Sequence, residues 1–211
     1  MQVPTVTDTF FNVSSKNVAT PTEGEKATQN TIYSFLPVGV SSMILIPHDS
    51  KDVVAEYYIS VRMNCFMPSS YNTTVYRGAD DLSPPVGAFE MGMVAAPSSV
   101  RMGRTVNNAA TALTQSGAWG SWYWHPANIN ERYHLRWEFG KRPAICRSAN
   151  GGRAILAKFT PPTVHLGDQL PELEIFSEGR EYMDHILISL LIIERRRLTP
   201  GRPDTTKELF N

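Results

Sequence analysis

Residues 132–139, RYHLRWEF, alternate strictly: Tyr133, Leu135, Trp137 and Phe139 fall on one face, and Arg132, His134, Arg136 and Glu138 on the other. A period of two puts successive side chains on opposite faces of a strand, so this segment predicts a half-buried antiparallel strand. The same alternation, rich in β-branched and aromatic residues, runs through VVAEYYISVRM at 53–63. Further apolar segments stop at Pro or Gly. Together they predict strands near 40–47, 53–64, 87–95, 119–124, 132–139, 153–160 and 184–195. The last, DHILISLLIIER, is long enough for a helix, but its β-branched content favours a strand. Gly87 and Gly92 soften the strand at 87–95, where glycine marks a bulge or a close backbone approach. Residues 97–118 are small and polar and read as a long loop or one short helix.

There is no strand–helix alternation and no repeat of 20–50 residues, which excludes a doubly wound sheet, a solenoid or a propeller. The expected fold is all-β, an eight-stranded antiparallel jelly-roll β-sandwich. Residues 1–30 are expected to form an extended N-terminal arm, 31–195 the jelly-roll domain and 196–211 an irregular C-terminal tail. The arm has Phe10 and Phe11 as its only large aromatics, and these are the expected anchors of an assembly interface.

The balance of 20 Lys+Arg against 20 Asp+Glu gives zero net charge, which argues against an electrostatic nucleic-acid binder. Charged residues make up 19% of the chain, fewer than a soluble domain usually carries, as expected where partners cover much of the surface. The Arg195–Arg197 run is a weak phosphate footprint and reads as the solvated end of a strand. No apolar run approaches the ~20 residues of a membrane span. Cys65 and Cys146 are expected to be buried free thiols.

Motifs for catalysis are missing: there is no GxSxG, GxGxxG, P-loop, CxxC or HExxH. A triad using Ser121 and His125 is outweighed by their reading as polar residues at the end of an aromatic strand. His125, His134, Glu138, His165 and His185 are the candidate metal ligands. They lack a His-x-His pair, and Arg132 and Arg136 share the face of His134 and Glu138, where they would oppose a dication. No catalytic residue, metal or cofactor is therefore expected. Trp119, Trp122, Tyr123, Trp124, Tyr133 and Trp137 suggest a sugar platform, but core and subunit contact is the preferred reading.

An arm at 1–30, a strand-rich body at 31–195, a small-residue loop at 97–118 and a tail from 196 form an organisation that resembles a jelly-roll capsid protein of picorna-like icosahedral RNA viruses, of the small secovirid (cheravirus-type) or dicistrovirid kind. The resemblance implies a structural coat protein. It would assemble with copies of itself and related subunits into a shell enclosing RNA, with little basic-arm contact and no membrane. Its locations would be the virion and, during assembly, the host cytoplasm. The rival classes are a carbohydrate-binding jelly-roll module and a cupin-like metalloenzyme.

Overall fold

The computed structural model describes residues 30–48, 54–92, 98–116, 120–140, 142–162 and 169–198. The all-β, antiparallel expectation holds. Thirteen strands form one sheet: β1 (Thr31–Gly39), β2 (Ser42–Pro47), β3 (Tyr57–Asn64), β4 (Met67–Arg77), β5 (Pro85–Gly92), β6 (Ser99–Met102), β7 (Thr105–Asn108), β8 (Leu113–Ser116), β9 (Ser121–Trp124), β10 (Leu135–Glu138), β11 (Ala144–Ser148), β12 (Ile155–Thr160) and β13 (Glu172–Ile175). Two helices accompany them, α1 (Ala109–Ala112) and α2 (Met183–Leu198). The expected count was eight strands in two sheets. The observed order is β7-β6-β5-β4-β3-β2-β1-β13-β12-β11-β10-β9-β8, two meanders joined where β1 pairs β13.

That order forces curvature. Laid flat, thirteen strands would span about 58 Å at ~4.8 Å per step. Yet the outermost strands, β7 and β8, are joined by the single helical turn α1, which advances only ~1.5 Å per residue. The sheet therefore curls until its two edges meet at a seam bridged by α1. Asn108 caps this turn, its side chain accepting from the Ala110 N–H at 2.8 Å.

The curled sheet encloses α2. The segment 184–195 is thus helix, not strand, and the helix runs on to Leu198, three residues into the expected tail. A helix apolar on nearly every side fits only a site walled all round. Met183, Ile186, Leu187, Ile188, Leu190, Ile192 and Ile193 are all buried. Walls on opposite sides hold it: Tyr57 of β3 bonds Asp184, while Trp124 of β9 and Trp137 of β10 bond His185 and Ser189. Gly87 of β5 is the expected close approach, since a Cβ there would stand 2.8 Å from the Arg101 carbonyl oxygen and 3.2 Å from Ile188 Cδ1.

Other expectations need correction. The first part of RYHLRWEF is a 3-10 turn, Glu131–Tyr133, which Asn130 caps by accepting from the Arg132 N–H. Only Leu135–Glu138 is strand, with Leu135 and Trp137 inward. The described part of 97–118 does hold one short helix, α1, but it is flanked by the strands β6, β7 and β8 in place of loop. Both cysteines are free, but only Cys146 is buried; Cys65 is exposed at the β3–β4 turn. The arm, save Asn30, and the tail beyond Leu198 lie outside the described residues.

A second 3-10 segment, Ser177–Tyr182, leads into α2 against β12. A Cβ on its buried Gly179 would stand 2.0 Å from the Leu156 carbonyl oxygen. Gly179→Ala must push backbone from backbone. It is expected to lower stability by about 1–3 kcal/mol, read from chemical denaturation.

Candidate interaction surface

The inward faces of β1–β4 follow from their alternation. Phe35, Leu45, Ile59 and Val75 pack into the core. Toward the C-terminal end of α2 the same faces continue past the helix. There they line an open groove of about 990 Å³, the mouth of the curled sheet. Met43, Val61, Met63 and Tyr71 belong to its wall, and Arg195 and Leu198 contribute the helix end. The Arg195 guanidinium lies 5.0 Å from the Tyr71 ring centroid, which places a cation at the helix C-terminus where the macrodipole favours it. Arg62, also at the mouth, pairs with Asp81 at 2.7 Å.

Two turns project around this mouth. Val40, between β1 and β2, is fully exposed, and Phe66, between β3 and β4, is 92% exposed. Val38, Met63 and Leu198 are exposed at the same end. An apolar patch around a groove makes this mouth the candidate interaction surface. None of these residues carries a sequence motif. For Val40 and Phe66 the sequence signal is that large apolar side chains occupy hairpin turns, where polar residues are usual.

The opposite end of α2 carries three of the candidate ligand histidines. The His125 and His134 ring centroids are 6.3 Å apart, and His185 stacks on Tyr133 at 4.7 Å. His125 Nε2 and Thr114 Oγ1 are 2.8 Å apart, and Trp124 Nε1–H donates to His185 Nδ1 at 3.3 Å. Burial, and then neighbouring His125, push the His134 pKa below its ordinary value against the pull of Glu131. Burial does the same to His185, with His134 adding and Asp184 opposing. Among the described residues no three His, Cys, Asp or Glu side chains converge as a metal-holding set.

The other candidates are dispersed. Glu138 pairs with Arg136 and lies 3.9 Å from Arg147 Nε. Ser121 and His125 stand at opposite ends of β9, and it is Thr114 that meets the His125 ring. Trp122, Trp124 and Trp137 are buried in the core, which removes them from any exposed sugar platform. The arginine run is divided. Arg197 pairs with Glu194, while Arg196 turns inward to donate to the Leu113 and Ala109 carbonyl oxygens, each at 2.9 Å. Phe10, Phe11, Trp119 and His165 lie outside the described residues.

These features define an antiparallel β-sheet curled around a buried C-terminal helix, with an open groove at one mouth that the exposed Val40, Met63 and Leu198 line. Residues 40–199 match DUF6593, a family of unknown function, and the chain belongs to that family. No curated protein and no solved structure matches the chain.

Proposed function

We propose that this chain is a non-enzymatic assembly module that binds a second copy of itself through the mouth of the curled sheet. The observation that carries this reading is the pairing of convex and concave apolar features at one end: the Val40 and Phe66 turns beside the groove walled by Met43, Val61 and Met63. A two-fold axis through that end places the turns of each copy against the groove of the other, the self-complementary arrangement of an isologous dimer. The charge-poor composition supports a surface covered by partners.

Sedimentation equilibrium tests it. The chain is expected to self-associate, and Val40→Asp or Phe66→Asp to shift it to a folded monomer whose melting midpoint matches that of the wild type at concentrations too low for association, because both residues are exposed in the single chain. A chain that stays monomeric at its highest soluble concentration overturns the reading. So does association that both substitutions leave intact.

The second reading is the coat-subunit role, a jelly-roll-type shell protein enclosing RNA. Net neutrality and low charge favour it, since such a shell gains its order from subunit packing rather than basic arms. The thirteen-strand meander departs from the eight-stranded sandwich which that reading implies. Uniform shells in negative stain are its expected result.

A further inference from the structure

The first turn of α2 is held by a neutral imidazole. Trp124 Nε1 carries a hydrogen and can only donate, so its partner His185 Nδ1 must be bare, with the ring proton on Nε2. A second proton would put N–H against N–H. It would also place a cation at a helix N-terminus, where the macrodipole opposes it.

The surroundings do not compensate. On α2 itself, Asp184 already accepts from Tyr57 of β3 and Arg77 of β4, at 2.7 Å each. From the 3-10 turn Glu131–Tyr133, the Arg132 guanidinium lies 4.4 Å from the Tyr133 ring centroid, the same ring on which His185 stacks. Next to that turn comes His134, with His125 of the β9 end behind it. The preceding 3-10 segment adds Tyr182, edge-on to Tyr133 at 5.7 Å. Glu131 and Glu181 supply the remaining negative charge nearby, Glu131 acting on His134 and Glu181 on Arg132 and Tyr182.

The geometry points to an acid-sensitive latch: protonation of His185 releases the first turn of α2 from Trp124 and Tyr133, opening that end of the curled sheet while the remaining core stays closed. The sign follows from burial, which holds the His185 pKa below its ordinary value in the closed state. The released ring binds a proton more tightly, so the latch is fully closed above the ordinary histidine range and weakens as pH falls through it. This inference does not rest on self-association at the mouth, which lies at the far end of α2.

Native-state hydrogen exchange at about pH 7.5 and about pH 5.5, corrected for intrinsic rates, tests it. Peptides covering 131–134 and 177–188 are expected to open more in acid, by up to about tenfold, the limit for one histidine about one pH unit below its ordinary pKa. Peptides at the far mouth, 39–43 and 61–71, should not change. His185→Gln keeps an acceptor for Trp124 but takes no proton, and should abolish the acid response at 177–188, leaving at 131–134 only what His134 itself contributes. Should that variant not fold, nitrogen NMR of the wild-type ring decides, with a proton on Nε2 at neutral pH and a midpoint below the ordinary value expected. The latch is overturned if His185→Gln responds like wild type, if acid opens the sheet uniformly, or if His185 titrates at or above the ordinary value.

Discussion

Trp137→Ala is expected to cost about 3–5 kcal/mol in chemical denaturation, a large share of the ~5–15 kcal/mol that holds a typical domain together. Trp137 is fully buried on β10, against the centre of α2. Truncation leaves a cavity that the strand and the helix, fixed by their own hydrogen bonds, cannot collapse to fill. It also removes a polar partner. Trp137 Nε1–H donates to Ser189 Oγ at 2.9 Å, and Ser189 passes its own hydrogen to the Ile186 carbonyl oxygen at 3.1 Å. Trp137→Phe restores much of the ring but not the donor, so it should cost less, about 1–3 kcal/mol for the unmatched buried hydroxyl together with the smaller ring. An alanine variant with the wild-type midpoint would show that the ring does not pack on the helix.

This pair also shows why the helix is hard to read in sequence. Ser189 interrupts the apolar run at a position that suggests neither a helical stripe nor a strand edge, because its partner lies 52 residues away. A helix enclosed on all sides needs no polar face, so DHILISLLIIER shows no 3.6-residue period, and its isoleucines argue for a strand. Length was the usable signal: twelve residues exceed the common strand. β4 is obscured for the opposite reason. Its buried residues include the polar Ser70 and Thr73, on opposite faces, and Ser70 Oγ donates to Glu90 of β5, so no apolar alternation announces the strand. Where one face is apolar and the other polar, as in β3 and β10, the pattern identifies the strand directly. The number of strands and the closure are not local properties, and they depend on β1 finding β13 across more than 130 residues.

The same limit applies to the sites. His125, His134 and His185 are spread over sixty residues and meet only because β9, the turn before β10 and the start of α2 share one end of the molecule. The mouth is legible only once the strands are known to outrun the helix. In sequence, Val40 and Phe66 are merely turn residues.

Arg196→Ala is expected to cost about 3–5 kcal/mol, as much as removing a core tryptophan, because its side chain holds the seam. The two edges of the sheet are not hydrogen-bonded to each other among the described residues. They are joined by α1, one turn that is far too short to be stable by itself. Arg196, in the last turn of α2, reaches into this gap. Nη1 donates to the Leu113 carbonyl oxygen at the start of β8, and Nη2 to the Ala109 carbonyl oxygen at the start of α1. Its guanidinium also lies 5.4 Å from the Trp122 ring centroid. The central helix thereby ties both sides of the seam. Two charge-assisted hydrogen bonds at ~1.5–3 kcal/mol each account for the expected loss. Arg196→Lys separates charge from geometry. It keeps the cation at the helix C-terminus, but a single ammonium lacks the planar fork that reaches two carbonyls at once. Lysine should therefore recover only part of the loss, and exchange at Ala109–Leu113 should stay elevated in both variants. Full recovery by lysine would mean that the charge alone, and not the bridge across the edges, closes the sheet.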